Sequence, residues 1–107
     1  MDKEIRKGSI DILILSLIEK EDMYGYKIAK TIKDKSEKLY KIGEGTLYPA
    51  LKRLENKELL ESYWGDSQGG GRRKYYKITD KGIKELSKKV KEWRKVDKLI
   101  KVCYEGV

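Results

Sequence analysis

Apolar residues crowd first into residues 9–20, where Ile10, Ile12, Leu13, Ile14, Leu15, Leu17 and Ile18 fall in one stretch. Ser9 is placed to cap a helix there, with Asp11 in its first turn near the positive end of the helix dipole. The apolar positions are wider than one amphipathic stripe, so the helix must be covered on more than one side. A domain this small covers one face, which leaves another for a second chain. Residues 3–8 either extend this helix or form a loose arm. A short polar turn at 19–23 follows, and Asp22 is placed to cap a second helix over about 24–35. There Gly25, Ile28, Ala29 and Ile32 recur at i, i+3, i+4 and i+7. Gly25 and Ala29 are small enough for close helix approach, and Lys27, Lys30 and Lys33 lie away from that face.

Residues 34–43 read as a loop with a short extended piece at 39–42. Thr46 is expected to cap a third helix reaching about residue 57, on which Leu47, Ala50, Leu51 and Leu54 repeat the same spacing. Pro49 then sits at the third helical position, where first-turn N–H groups have no intrahelical partner and a proline is tolerated. Residues 60–64 and 72–79 read as strands, with high β propensity at Tyr75, Tyr76, Ile78 and Thr79. The connection between them holds Gly69-Gly70-Gly71. It is too long for a two-residue turn and is expected to be poorly ordered without a partner.

Thr79 is placed to cap a last helix on which Leu86, Val90, Trp93, Val96 or Asp97, Ile100 and Cys103 or Tyr104 recur at steps of three and four. At about 1.5 Å per residue, residues 79–104 extend ~39 Å. A chain of 107 residues has an expected diameter of only about 34 Å. The far half of this helix therefore lacks an intrachain core for Trp93, Val96 and Ile100, and another chain must supply one. The predicted architecture is mainly α with a small β-hairpin. It is a winged helix-turn-helix over 1–78, whose third helix reads and whose hairpin is the wing, plus a long C-terminal dimerisation helix over 79–107.

Composition narrows the function. The chain has 26 basic and 18 acidic residues and a formal net charge of +8. The excess concentrates in residues 81–101, a pattern that suits a polyanionic partner or a solvated helix face. There is no histidine, and Cys103 is the one cysteine. That excludes His-based catalysis, a Cys/His zinc site within one chain and an intramolecular disulfide. No apolar run approaches a membrane span, and Met1-Asp2-Lys3-Glu4 does not open like a secretory leader. A cytoplasmic non-enzyme without cofactor is expected, with no membrane partner.

With Leu47, Ala50, Leu51 and Leu54 inward, the third helix leaves Thr46, Tyr48, Pro49, Lys52, Arg53 and Asn56 outside. Recognition helices present such residues to base edges and phosphates in the major groove. Tyr48, Lys52 and Arg53 are the candidate readers, and Thr46, Tyr24 and Lys27 candidate phosphate holders. On the wing, Gln68, Gly70, Arg72 and Arg73 combine a closely approaching backbone with cations suited to a narrow minor groove. Strand alternation puts Arg73 and Tyr75 on one face and Lys74 and Tyr76 on the other, so not every cation reaches DNA. Trp93, with Asp97 one turn on, is either dimer core or a stacking platform for a planar cationic aromatic.

The stretch Gly45-Thr46-Leu47-Tyr48-Pro49-Ala50-Leu51-Lys52-Arg53-Leu54-Glu55 resembles the signature of PadR-type transcriptional regulators, as does Gly71-Arg72-Arg73-Lys74-Tyr75-Tyr76-Lys77-Ile78-Thr79 followed by Gly82. Tyr24-Gly25-Tyr26 fits the start of the family's second helix. The single C-terminal helix looks like the small PadR subclass. Ser62-Tyr63-Trp64-Gly65-Asp66 and Trp93-Arg94-Lys95-Val96-Asp97-Lys98 look similar to its multidrug-responsive repressors. The resemblance implies a homodimeric repressor of a pseudo-palindromic operator on double-stranded DNA. It also implies a central cavity for a planar hydrophobic or cationic molecule, and that Trp93, Asp97, Ile12 and Val96 line it. Glu58 departs from the family, which usually ends its third helix there with glycine. A protein-interaction module, an RNA-binding winged helix and a MarR-like dimer remain the alternatives.

Overall fold

The first helix, α1 (Lys3–Lys20), starts well before Ser9. The Asp2 carboxylate caps it, accepting from the Glu4 and Ile5 N–H groups at 2.8 and 3.2 Å. Ser9 is therefore an interior residue. Its hydroxyl donates back to the Ile5 carbonyl at 2.7 Å and lies 3.0 Å from the Tyr40 hydroxyl. The computed structural model describes residues 1–66 and 69–106.

A two-residue strand, β1 (Met23–Tyr24), precedes α2 (Gly25–Lys35). α2 has no side-chain cap. Asp22, expected in that role, instead accepts a hydrogen bond from Tyr63 at 2.5 Å, because pairing of β1 into the sheet holds this segment extended. The third helix, α3 (Glu44–Asn56), is capped by Gly43 rather than Thr46. The Gly43 carbonyl accepts from Thr46 and Leu47 at 3.1 and 2.9 Å, so Thr46 stands in the first turn. Pro49 lies correspondingly deeper, in the second turn, where it withholds the N–H that would bond the Gly45 carbonyl. The extended piece expected at 39–42 is absent. The chain there runs as bends and irregular backbone, anchored by Tyr40, which is buried and donates to the Arg6 carbonyl at 2.5 Å.

Strands β2 (Leu60–Asp66) and β3 (Arg72–Ile78) form the wing, and β1 adds to β3, so the expected hairpin is one part of a three-stranded antiparallel sheet of order β1-β3-β2. The final helix is α4 (Asp80–Glu105), capped by Thr79, whose hydroxyl oxygen accepts from the Gly82 N–H at 2.9 Å.

One core serves all these elements. Ile14, Leu15 and Ile18 of α1, Ile28 of α2, Leu51 and Leu54 of α3 and Leu60 of β2 are its fully buried centre. The periodic positions of α2 and α3 thus point inward as their spacing predicts. α4 joins this core through Leu86 and Gly82, with Val90 packed against it. Beyond Val90 every described residue of α4 is exposed. The radius of gyration is 15.2 Å and the long dimension 55 Å, against about 13 Å expected for a compact chain of this length. The projecting helix accounts for the excess.

Two backbone positions carry much of the geometry. α3 ends with the Leu59 N–H on the Leu54 carbonyl at 3.0 Å and the Glu58 N–H on that of Glu55 at 2.9 Å. This is a Schellman closure, and its left-handed residue is Glu58, at φ 62°. The departure from glycine therefore leaves the helix end intact and makes a side chain adopt a conformation that disfavours it. Glu58→Gly is expected to raise stability by about 1 kcal/mol, seen as a thermal midpoint ~5 °C higher. At Gly82 the first turn of α4 presses on the corner between α3 and β2, and a Cβ there would collide with the Leu59 carbonyl oxygen. Gly82→Ala is expected to cost about 1–3 kcal/mol, the usual range for overpacking, read as a lower urea midpoint.

Candidate nucleic-acid interface

α3 exposes the face opposite its buried leucines. By helical spacing its centre is Gly45, Pro49, Lys52 and Asn56, all exposed. Tyr48 flanks it on the α2 side, where its hydroxyl and ring close over Gly25, leaving no room for a Cβ at that position. Thr46 and Arg53 flank it on the α1 side. Arg53 pairs with Asp11 of α1 at 2.5 Å, and with Thr46 it borders a cleft of about 770 Å³ that also receives Lys3, Arg6, Lys7 and Lys41. Of the three candidate readers, Lys52 stands central and makes no ion pair among the described residues.

The register separates the wing into two faces. Leu60 faces Ile78, Ser62 faces Tyr76 and Trp64 faces Lys74. This face holds buried Leu60 and Tyr76 and touches α3 where the Ser62 hydroxyl donates to Glu55 at 2.5 Å. Burial, then the nearby Glu55 and Tyr48, pushes the Tyr76 phenol above its ordinary pKa. Arg72 lies over the Trp64 ring at 5.9 Å and Lys74 over Tyr76 at 5.7 Å.

The other face carries tyrosines. Tyr63 and Tyr75 stack at 5.6 Å, and Tyr24 meets Tyr75 edge-on at 5.5 Å. Arg73 lies over Tyr24 at 5.3 Å. Tyr63 donates to the Asp22 carboxylate, and chiefly this bond pushes its phenol up to about 12. Lys27 is held by Glu21 at 2.7 Å, a partner that raises its ammonium pKa. Arg72 and Arg73 thus diverge, as alternation predicts, and Arg72 is the one that shares a face with α3. Gly70 takes φ 82° at the wing turn, and Gln68 lies outside the described residues.

Away from this surface, α1 and α4 enclose a groove of about 260 Å³ whose walls include Gly8, Ile12, Trp93 and Val96. Gly8 of α1 faces the Trp93 indole, which a Cβ there would meet in ordinary contact at 3.9 Å. Three of the four residues expected to line a ligand cavity meet here. Asp97 is not among the walls and pairs with Lys101 at 3.1 Å.

Three packed helices, an exposed face on the third and a hairpin on its flank define a winged helix-turn-helix. The profile of the transcriptional regulator PadR-like family matches residues 14–88. The chain belongs to that family, one of transcriptional regulators rather than enzymes. It is 49% identical to a PadR family transcription regulator of Clostridium difficile, covering 86% of this chain and 94% of that one at a TM-score of 0.76. It is 43% identical to a transcriptional regulator of Clostridium thermocellum, covering 92% and 95% at a TM-score of 0.83. An uncharacterized protein of Lysinibacillus sphaericus is 44% identical over 97% of this chain and 95% of its own length. No described helix is long and apolar enough to cross a membrane.

Proposed function

We propose that two copies of this chain form a repressor that grips a pseudo-palindromic operator, one α3 in each half-site. One observation carries this reading. The far half of α4 presents Trp93, Val96, Leu99 and Ile100 to solvent along one side, with Leu99 61% exposed, on a helix that outruns its own domain. Apolar burial contributes about 25 cal/mol per Å², so a second copy laid on this face gains what the first cannot supply for itself. The residues over 1–78 then act as the DNA-binding unit, and 79–107 as the dimerisation helix.

Lys52 and Tyr48 read bases, Arg53 and Thr46 serve the adjoining backbone, and the wing cations hold phosphates. Tyr24 and Lys27 lie beside the second wing face, where Glu21 already occupies Lys27, so they position rather than read. The groove at Ile12, Trp93 and Val96 lies next to the proposed dimer face. A planar aromatic cation stacked on Trp93 there shifts the spacing of the two α3 helices only if it binds the two arrangements unequally.

A gel-shift comparison of a duplex from the chain's own promoter, a scrambled duplex and RNA tests the DNA reading. The expected result is preference for the promoter duplex. Equal weak binding to both duplexes favours a protein-interaction module, and preference for RNA an RNA binder. Titrating a planar aromatic cation should quench tryptophan fluorescence and lower operator affinity together; no quenching with unchanged affinity would refute the ligand cavity.

A further inference from the structure

We infer that Trp64 is itself a DNA-contacting residue, packed against the sugar–phosphate strand bordering the groove that α3 occupies. The inference rests on the reading of the chain as a duplex-DNA binder.

A single exposed aromatic residue is ordinary on a protein surface; the surroundings of Trp64 are what distinguish it. It is 61% exposed and lies on the sheet face that packs on α3, not on the face of stacked tyrosines. Two residues nearer the core on the same face, Ser62 bonds Glu55 of α3. At about 3.3 Å per strand residue, the indole is carried ~7 Å beyond that contact. A side chain on the α3-facing side of the wing, beyond the last contact with α3, is placed to meet the backbone that borders the groove α3 enters. Its neighbours suit that position. Arg72 sits over the indole and Lys74 is its cross-strand partner. The Lys74 ammonium lies over Tyr76, so Arg72 is the cation at the indole itself. The indole N–H is a donor only, suited to a phosphate oxygen. Arg73, over Tyr24 on the opposite face, lacks this alignment.

The sequence contains two tryptophans, so ¹⁵N-labelled protein gives two indole N–H resonances, and the one missing from Trp64→Phe identifies Trp64. On titration with the promoter duplex, that resonance is expected to move in proportion to the bound fraction measured by gel shift. Trp64→Ala is expected to bind about tenfold more weakly, the equivalent of ~1.4 kcal/mol, with an unchanged slope against log salt because no charge is removed. Trp64→Phe keeps a ring and is expected to retain most of the affinity. A Trp64 resonance that stays put at saturating duplex overturns the inference while leaving the regulator reading intact, and it is measured on the wild-type chain, whatever the variants do to folding. Wild-type protein that binds no duplex overturns both.

Discussion

Ile100→Glu is expected to turn the protein into a folded monomer whose affinity for a two-half-site operator is lower by about 10²–10⁴-fold. Ile100 is 58% exposed on the projecting half of α4, so no core of its own domain is disturbed, and glutamate is a good helix former. Folding should survive, with helical circular dichroism unchanged. A carboxylate buried against a second copy meets hydrocarbon without a partner for its charge, and twofold symmetry repeats that cost in the other subunit. Without the second copy, the two reading helices are no longer held about 34 Å apart, and the gain from tethering is lost. Sedimentation velocity checks the mass, and titration of half-site and full-site duplexes checks the binding. Half-site affinity should match that of the wild type. A variant that remains dimeric, or a monomer that binds the full operator as well as the parent, refutes the arrangement.

Lys52→Ala is expected to cost about 1–3 kcal/mol at the promoter duplex and much less at a scrambled one. Lys52 lies at the centre of the exposed face of α3, away from the elements packed on its two flanks. Arg53→Ala should cost less at the same site, although the two are sequence neighbours. The Arg53 guanidinium is engaged by Asp11 at 2.5 Å, and a half-exposed pair of this kind contributes only about 0–1 kcal/mol to stability. Competition titrations of both variants against both duplexes separate base reading from general attraction. Equal losses for the two substitutions would remove Lys52 from its central role.

Much of the fold was legible because it is local. The sets Gly25, Ile28, Ala29, Ile32 and Leu47, Ala50, Leu51, Leu54 announce two helices through a spacing that the core then uses. Thr79 announces the start of α4 by the same short-range chemistry. What failed to show depends on distant partners. β1 is two residues long, too short for any period, and exists because β3 offers it a ladder. Ser9, Asp22 and Thr46 all have side chains suited to capping; the Asp2 cap put Ser9 inside α1, Tyr63 from the distant wing took Asp22, and the Gly43 backbone pre-empted Thr46. Tyr40 sits in a stretch without pattern, yet it is buried, its hydroxyl donating to the Arg6 carbonyl and lying beside that of Ser9, both more than thirty residues away.

The candidate interface divides along the same line. The order of elements, the long terminal helix and the residues resembling the PadR-type signature are properties of neighbouring positions, and the chain alone determined them. Which cation does what was decided only by the folded molecule. Alternation says that Arg72 and Arg73 part company, but not which of them lies on the side of α3; the cross-strand register and the Ser62–Glu55 contact decide that. Helical spacing leaves Lys52 and Arg53 both outside, and only the approach of α1 gives Arg53 a partner. Long charged side chains take their direction from whatever opposite charge or aromatic ring folding brings within reach, and those partners lie far off along the chain.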